Sequence, residues 1–98
     1  MIVRIVRMHF RPEAKDMIWQ RLVAQAPKVR NFPGCLHLAL HQDAENPAIF
    51  YSISHWDSPS MLEAYRQDAL FQEFWAEIKA HFMQPAQAFT LQEPLLTL

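Results

Sequence analysis

The order in which two hydrophobic periods succeed one another constrains this chain most. Residues 2–10 alternate, with Val3, Ile5, Arg7 and His9 on one side and Ile2, Arg4, Val6, Met8 and Phe10 on the other, which is the period of a strand. Pro12-Glu13 then opens a helix whose apolar residues Ala14, Ile18, Leu22, Ala26 and Val29 recur at helical spacing, widened by Trp19 and Val23. Pro27 is expected to kink or break it. After the turn Asn31-Phe32-Pro33-Gly34, alternation returns over residues 35–41. The polar stretch 42–47 has a hairpin's composition, and residues 48–56 read as its second strand. Ser58-Pro59 is an N-cap followed by proline at the first helical position, predicting a helix to about Arg66. Asp68 is a second cap, for a helix carrying Leu70, Phe71, Phe74, Trp75, Ile78 and Phe82 that Pro85 ends. Residues 86–91 can form a last strand.

Strand, helix, strand, strand, helix, strand is the split βαβ order. It predicts an α+β, ferredoxin-like fold, a four-stranded antiparallel sheet with both helical units layered on one face. The 98 residues suit one domain, 1–98, with a core of about 2–91 and a tail of 92–98. Strict alternation sends Leu36, Leu38, Leu40, Ile49 and Ile53 toward the helices and Cys35, Ala39, Phe50 and Trp56 away from them. An apolar open face of that kind marks an interface, so a homodimer with sheets face to face is expected.

Composition removes several function classes. The single glycine, Gly34, excludes phosphate-binding loops that need several glycines. Nine Lys and Arg against ten Asp and Glu, without a like-charge block, offer nothing to nucleic acid or an anionic membrane. The lone Cys35 forms no internal disulfide and no thiolate zinc site. Arg4 and Arg7 interrupt the apolar start, and no run reaches the roughly 18 apolar residues of a membrane span, so a soluble cytoplasmic protein is expected.

The histidines do not suggest a metal. His37 and His41 share a strand face but lie roughly 13 Å apart, too far for one ion. His9, His55 and His81 lack carboxylates or thiolates at ligand spacing. Cys35 reads as a small packed residue, and no nucleophile elbow surrounds Ser52 or Ser54.

Asn31-Phe32-Pro33-Gly34-Cys35, Asp43, Pro47, Phe50, Trp56-Asp57-Ser58, Phe71 and Trp75 together resemble the antibiotic biosynthesis monooxygenase family of dimeric α/β-barrel proteins. The resemblance implies a pocket in each subunit between the inner sheet face and the helices. It also implies activities that include cofactor-free oxygenation of polyketide-derived phenols, quinol oxygenation and haem degradation. The chain departs from the family at informative places. Ser54 stands where a glutamate is often found, Tyr65 where a histidine is common, and Ser52 where oxygenases of the actinorhodin type carry an asparagine. Trp75 occupies the position of the iron-ligating histidine of the haem-degrading branch, which disfavours haem.

What remains is oxidation by O2 without a cofactor. An ionised polyphenol donates electrons to triplet oxygen; the protein has to hold it in an apolar pocket, favour its anion and exclude water. Trp56 is expected as a pocket wall, with Tyr65 and Trp75 adding aromatic surface. Ser52 and Ser54 are expected to orient a phenol oxygen. His37, polar on an otherwise apolar inner face, is the candidate for substrate deprotonation, with an interface histidine as its alternative. The competing reading is a non-catalytic module that binds small aromatic molecules in the same pocket. A purely structural dimerisation domain would instead have the pocket filled by side chains.

Overall fold

A computed structural model describes all 98 residues. β1 (Ile2–His9) leads through a 3-10 turn (Pro12–Ala14) into α1 (Lys15–Arg30), followed by β2 (Cys35–Gln42) and β3 (Ile49–Trp56). The chain continues with α2 (Pro59–Gln67), α3 (Ala69–Lys79) and β4 (Gln87–Gln92). The sheet order is β2-β3-β1-β4 with every neighbouring pair antiparallel, the ferredoxin-like α+β arrangement. All three helices pack on one sheet face: Ile18, Leu22 and Ile78 meet Met8 and Phe50, while Val29 and Leu62 meet Ile2 and Trp56.

Local chemistry sets the boundaries. Ser58 Oγ accepts from the Met61 amide at 3.2 Å and starts α2; Asp68 Oδ1 accepts from the Leu70 amide at 2.8 Å and starts α3. Pro27 does not end α1, which runs on to Arg30. Proline removes the bond its own N–H would make, but its carbonyl still accepts from the Asn31 amide at 3.1 Å and Val29 is buried beside Trp56. That packing holds the last turn. Gly34 has φ +88°, and a Cβ there would lie 2.5 Å from Met61 Cβ, so the only glycine sits where no other residue fits without strain.

The facing of β2 and β3 departs from strict alternation. In β3, Phe50, Ser52, Ser54 and Trp56 face the helices and Ile53 faces away, because both sides of this strand are apolar and burying the two aromatics decides the phase. In β2, Cys35 pairs with Trp56 and His37 with His55, leaving Leu36 as the extra residue of a bulge. Cys35 therefore turns inward and Leu36 outward, 48% exposed. Leu38 and Leu40 face inward as expected.

Candidate functional site

The inner sheet face is a grid of cross-strand rows. One end row holds Ile2, Trp56 and Cys35, and the other holds Met8 and Phe50. The two rows between read Thr90, Arg4, Ser54, Leu38 and Ala88, Val6, Ser52, Leu40. The bulky Trp56 and Phe50 thus stand at the two ends of β3, with the small Ser52 and Ser54 between them. Each end packs into its own buried cluster against the helices, and a cavity of about 350 Å3 lies between them. That volume falls in the usual range for small-molecule sites, about 300–1,000 Å3.

The floor consists of Arg4, Val6, Met8, Leu38, Leu40, Ser52, Ser54 and Ala88. α1 contributes Leu22, Gln25, Ala26 and Val29; α2 contributes Leu62, Tyr65 and Arg66; α3 contributes Phe71, Phe74, Trp75 and Ile78. An aromatic ladder forms one wall: Tyr65 meets Phe71 edge-on at 5.2 Å, and Phe71 stacks on Trp75 at 5.7 Å. Every position of β4 is exposed, and Ala86 and Ala88 border the cavity on that side.

Ser52, Ser54, Tyr65 and Trp75 are therefore brought together around one space. Trp56 is not part of its wall. It is fully buried behind Tyr65, stacked on it at 4.9 Å, and its indole Nε1 donates to Ser54 Oγ at 3.0 Å. An indole N–H only donates, so Ser54 is held as acceptor toward Trp56 and its own proton is left free to donate. His37 is not at the cavity either. Its pairing with His55, beyond the Leu36 bulge, turns it to the open face, where the two rings lie 4.5 Å apart. The expectation of an inner-face histidine fails because His37 alternates with Leu38 and Leu40, which face the cavity, and so shares the open face with Ala39.

Arg4 and Arg66 are the only charged residues around the cavity, and no Asp, Glu, His or Lys joins them. Arg4 donates to Thr90 Oγ1 at 2.6 Å. Burial first, then the neighbouring Arg66, lowers the guanidinium's pKa, partly offset by Glu63; an arginine nevertheless stays charged. Burial pushes the Tyr65 phenol far above its ordinary range, with a smaller contribution from Cys35, so it remains a neutral hydrogen-bond donor and acceptor. Burial likewise raises the Cys35 thiol, which donates to the His37 carbonyl at 3.6 Å. No three His, Cys, Asp or Glu side chains converge where they could hold a metal ion. Arg4, which sequence reasoning did not single out, is legible as the one charged residue on the Ile2, Val6, Met8 side of β1.

The opposite sheet face is also apolar. Ile5 pairs with Ile53 and Phe89, Ala39 with Ile53, and Val3 with Leu91. Phe89 and Leu91 are about half exposed, at 54% and 49%. This set replaces the expected Cys35, Phe50 and Trp56, which are buried under the helices; Ala39 alone of the expected four belongs to it. No helix is long and apolar enough to cross a membrane.

No curated protein matches the chain. Among solved structures, one described as an antibiotic biosynthesis monooxygenase superposes with a TM-score of 0.90 at 24% identity, covering 96% of this chain and 99% of that one. A protein from Pseudomonas aeruginosa gives a TM-score of 0.84 at 25% identity, covering 95% and 93%. One from Mycobacterium tuberculosis gives 0.87 at 21%, covering 98% and 96%. These likenesses establish the shared fold. The sequence pattern that defines antibiotic biosynthesis monooxygenases matches residues 1–77, most of the molecule and nearly all of the cavity's lining. The chain belongs to the antibiotic biosynthesis monooxygenase family.

Proposed function

We propose that the cavity binds a hydroxylated aromatic molecule, of phenol, quinol or anthrone type, and promotes its oxidation by O2 without a resident cofactor. The observation that carries this reading is the lining: an apolar, aromatic-walled space of ring-system size with the hydroxyl-bearing residues Ser52, Ser54 and Tyr65 in its wall. Such a site holds a flat ring against the ladder of Tyr65, Phe71 and Trp75 and offers hydrogen bonds to a phenol oxygen. For an anthrone, the ring CH2 becomes a carbonyl: one atom of O2 ends in the product, and the other leaves as water with the two hydrogens.

The protein acts as a homodimer in this proposal, joined through the open sheet face, whose exposed Phe89 and Leu91 support that role. His37 then lies at the interface rather than against the substrate. An oxygen electrode tests the reaction directly. Uptake with a quinol or anthrone should require the protein, need no added flavin, nicotinamide or metal, and persist with a chelator.

A second reading, a non-catalytic module binding the same molecules, is favoured by one feature: the cavity has no acid or base that titrates near neutral pH. It predicts binding with no oxygen consumption above the uncatalysed rate. A purely structural dimerisation domain fits poorly with about 350 Å3 of open space.

A further inference from the structure

Two arginines border the cavity, and their surroundings differ. Arg66 is paired with Glu63 at 3.3 Å. Arg4 has no such partner: the chain's ion pairs join Met1 with Glu93, Lys15 with Asp16, Arg21 with Glu77, and Arg66 with Glu63. Only the neutral Thr90 hydroxyl engages its guanidinium, leaving other N–H donors unused. Arg4 also stands in the middle of the floor, directly across the strands from Ser54 and diagonal to Ser52.

A ligand entering this space displaces water from a half-buried cation. If the ligand is neutral, the guanidinium loses hydration and gains little. If it carries an anionic oxygen, a charge-assisted hydrogen bond replaces the lost water in surroundings of low polarity, where such bonds are strongest. The neighbouring hydroxyls reinforce the choice, because Ser54 has its acceptor side occupied by Trp56 and can donate its proton to an oxyanion.

We propose that Arg4 makes this cavity selective for ring compounds bearing an anionic oxygen, which it holds against its guanidinium beside the Ser52 and Ser54 hydroxyls. The inference rests on reading the cavity as the small-molecule site. In that reading it supplies what the lining otherwise lacks: with no base present, the reactive anion is selected by a fixed positive charge rather than made by proton abstraction.

The test uses the intact protein and three probes: 4-nitrophenol, whose ionised form absorbs at a distinct wavelength, its neutral methyl ether 4-nitroanisole, and 4-nitrobenzoate. Selection of the anion lowers the apparent pKa of bound 4-nitrophenol by about one unit for each tenfold preference. A drop of at least about one unit is expected, with 4-nitroanisole binding about tenfold or more weakly than the phenolate. The benzoate arm separates phenolate from carboxylate as the better oxyanion. In Arg4→Gln the bound phenol should return to its solution pKa while 4-nitroanisole affinity is kept. The double variant Arg21→Gln with Glu77→Gln, which removes an ion pair outside the cavity, should leave the preference intact. An unshifted nitrophenol titration in wild type, with 4-nitroanisole bound as tightly as either anion, overturns the proposal and needs no variant to fold. Absence of oxygen uptake with every phenol would remove the oxygenase reading and leave anion selection standing; anion indifference with active oxygen uptake would do the reverse.

Discussion

The two faces of the sheet are both apolar, and they differ in where the large side chains stand. Under the helices, Phe50 with Met8 and Trp56 with Ile2 occupy the ends, while Ser52, Ser54 and Ala88 occupy the middle. On the open face the order is inverted: Ile5, Ile53 and Phe89 make a continuous middle, and His37, His55, Arg7 and Gln87 stand around it. Large ends with a small middle leave a hollow that side chains cannot close. A large middle with polar surroundings leaves a flat patch suited to another flat surface. Size distribution along the strands, rather than hydrophobicity, separates the hollow face from the flat one.

The strongest way to break that contrast is a charge on the flat side. Ala39→Glu would bury an unpaired carboxylate in each half of a face-to-face dimer, a cost of about 3–5 kcal/mol. Sedimentation should show dimers giving way to monomers or aggregates, a weakening of at least about a hundredfold. A stable, soluble wild-type monomer at micromolar concentration would remove the interface from the comparison.

The converse change fills the hollow. Ser52→Leu places a large side chain in the middle of the covered face, beside Leu40 and Val6. Aromatic ligand affinity, followed by quenching of tryptophan fluorescence, should fall by about two orders of magnitude, with self-association unchanged. Gly34→Ala should act on neither face in particular. It forces a side chain into positive φ and against Met61, costing about 1–2 kcal/mol and lowering Tm by about 4–8 °C for each kcal/mol.

The smallest effects separate the faces by pH. On the covered side the folded state holds Tyr65 protonated above its ordinary value of 10.0. The unfolded chain releases that proton first, so the stability this group contributes is present below about pH 10 and is lost as pH rises above it. Tyr65→Phe should flatten the alkaline limb of the Tm profile. On the open side, partial burial and then His37 hold His55 below its ordinary 6.5. There the unfolded chain takes up the proton first, so stability is present above about pH 6.5 and declines as pH falls through the lowered folded-state value. His55→Gln should remove that acid limb and leave the alkaline one.

Much of this architecture is legible in the sequence, for identifiable reasons. Alternation located β1 and β2, β-rich composition after a polar hairpin stretch located β3, and Ser58 and Asp68 marked α2 and α3 because each supplies a local oxygen to an amide that would otherwise lack a partner. The phase of β3 was not legible, since Ile49, Ile53, Phe50 and Trp56 make both of its sides apolar. Nor was the bulge: Leu36 continues the alternation of CLHLALH, and only the pairing with β3 reveals the extra residue. Trp56 is off the expected site because Tyr65 covers it, and His37 because it alternates with the inward-facing Leu38 and Leu40. Ser52, Ser54, Tyr65 and Trp75 do border the cavity. Pro27 shows tertiary packing overriding a local signal.

Initial rates of oxygen uptake with one responsive quinol or anthrone, for wild type and for dimeric Ser52→Leu at equal concentration and without added cofactor, test most directly whether this cavity carries the function. Uptake well above the uncatalysed rate in wild type, falling to background in Ser52→Leu, is the predicted result. Equal uptake by the two proteins, with the filled cavity confirmed by loss of ligand binding, would place the chemistry somewhere else on the molecule and contradict the cavity as its site.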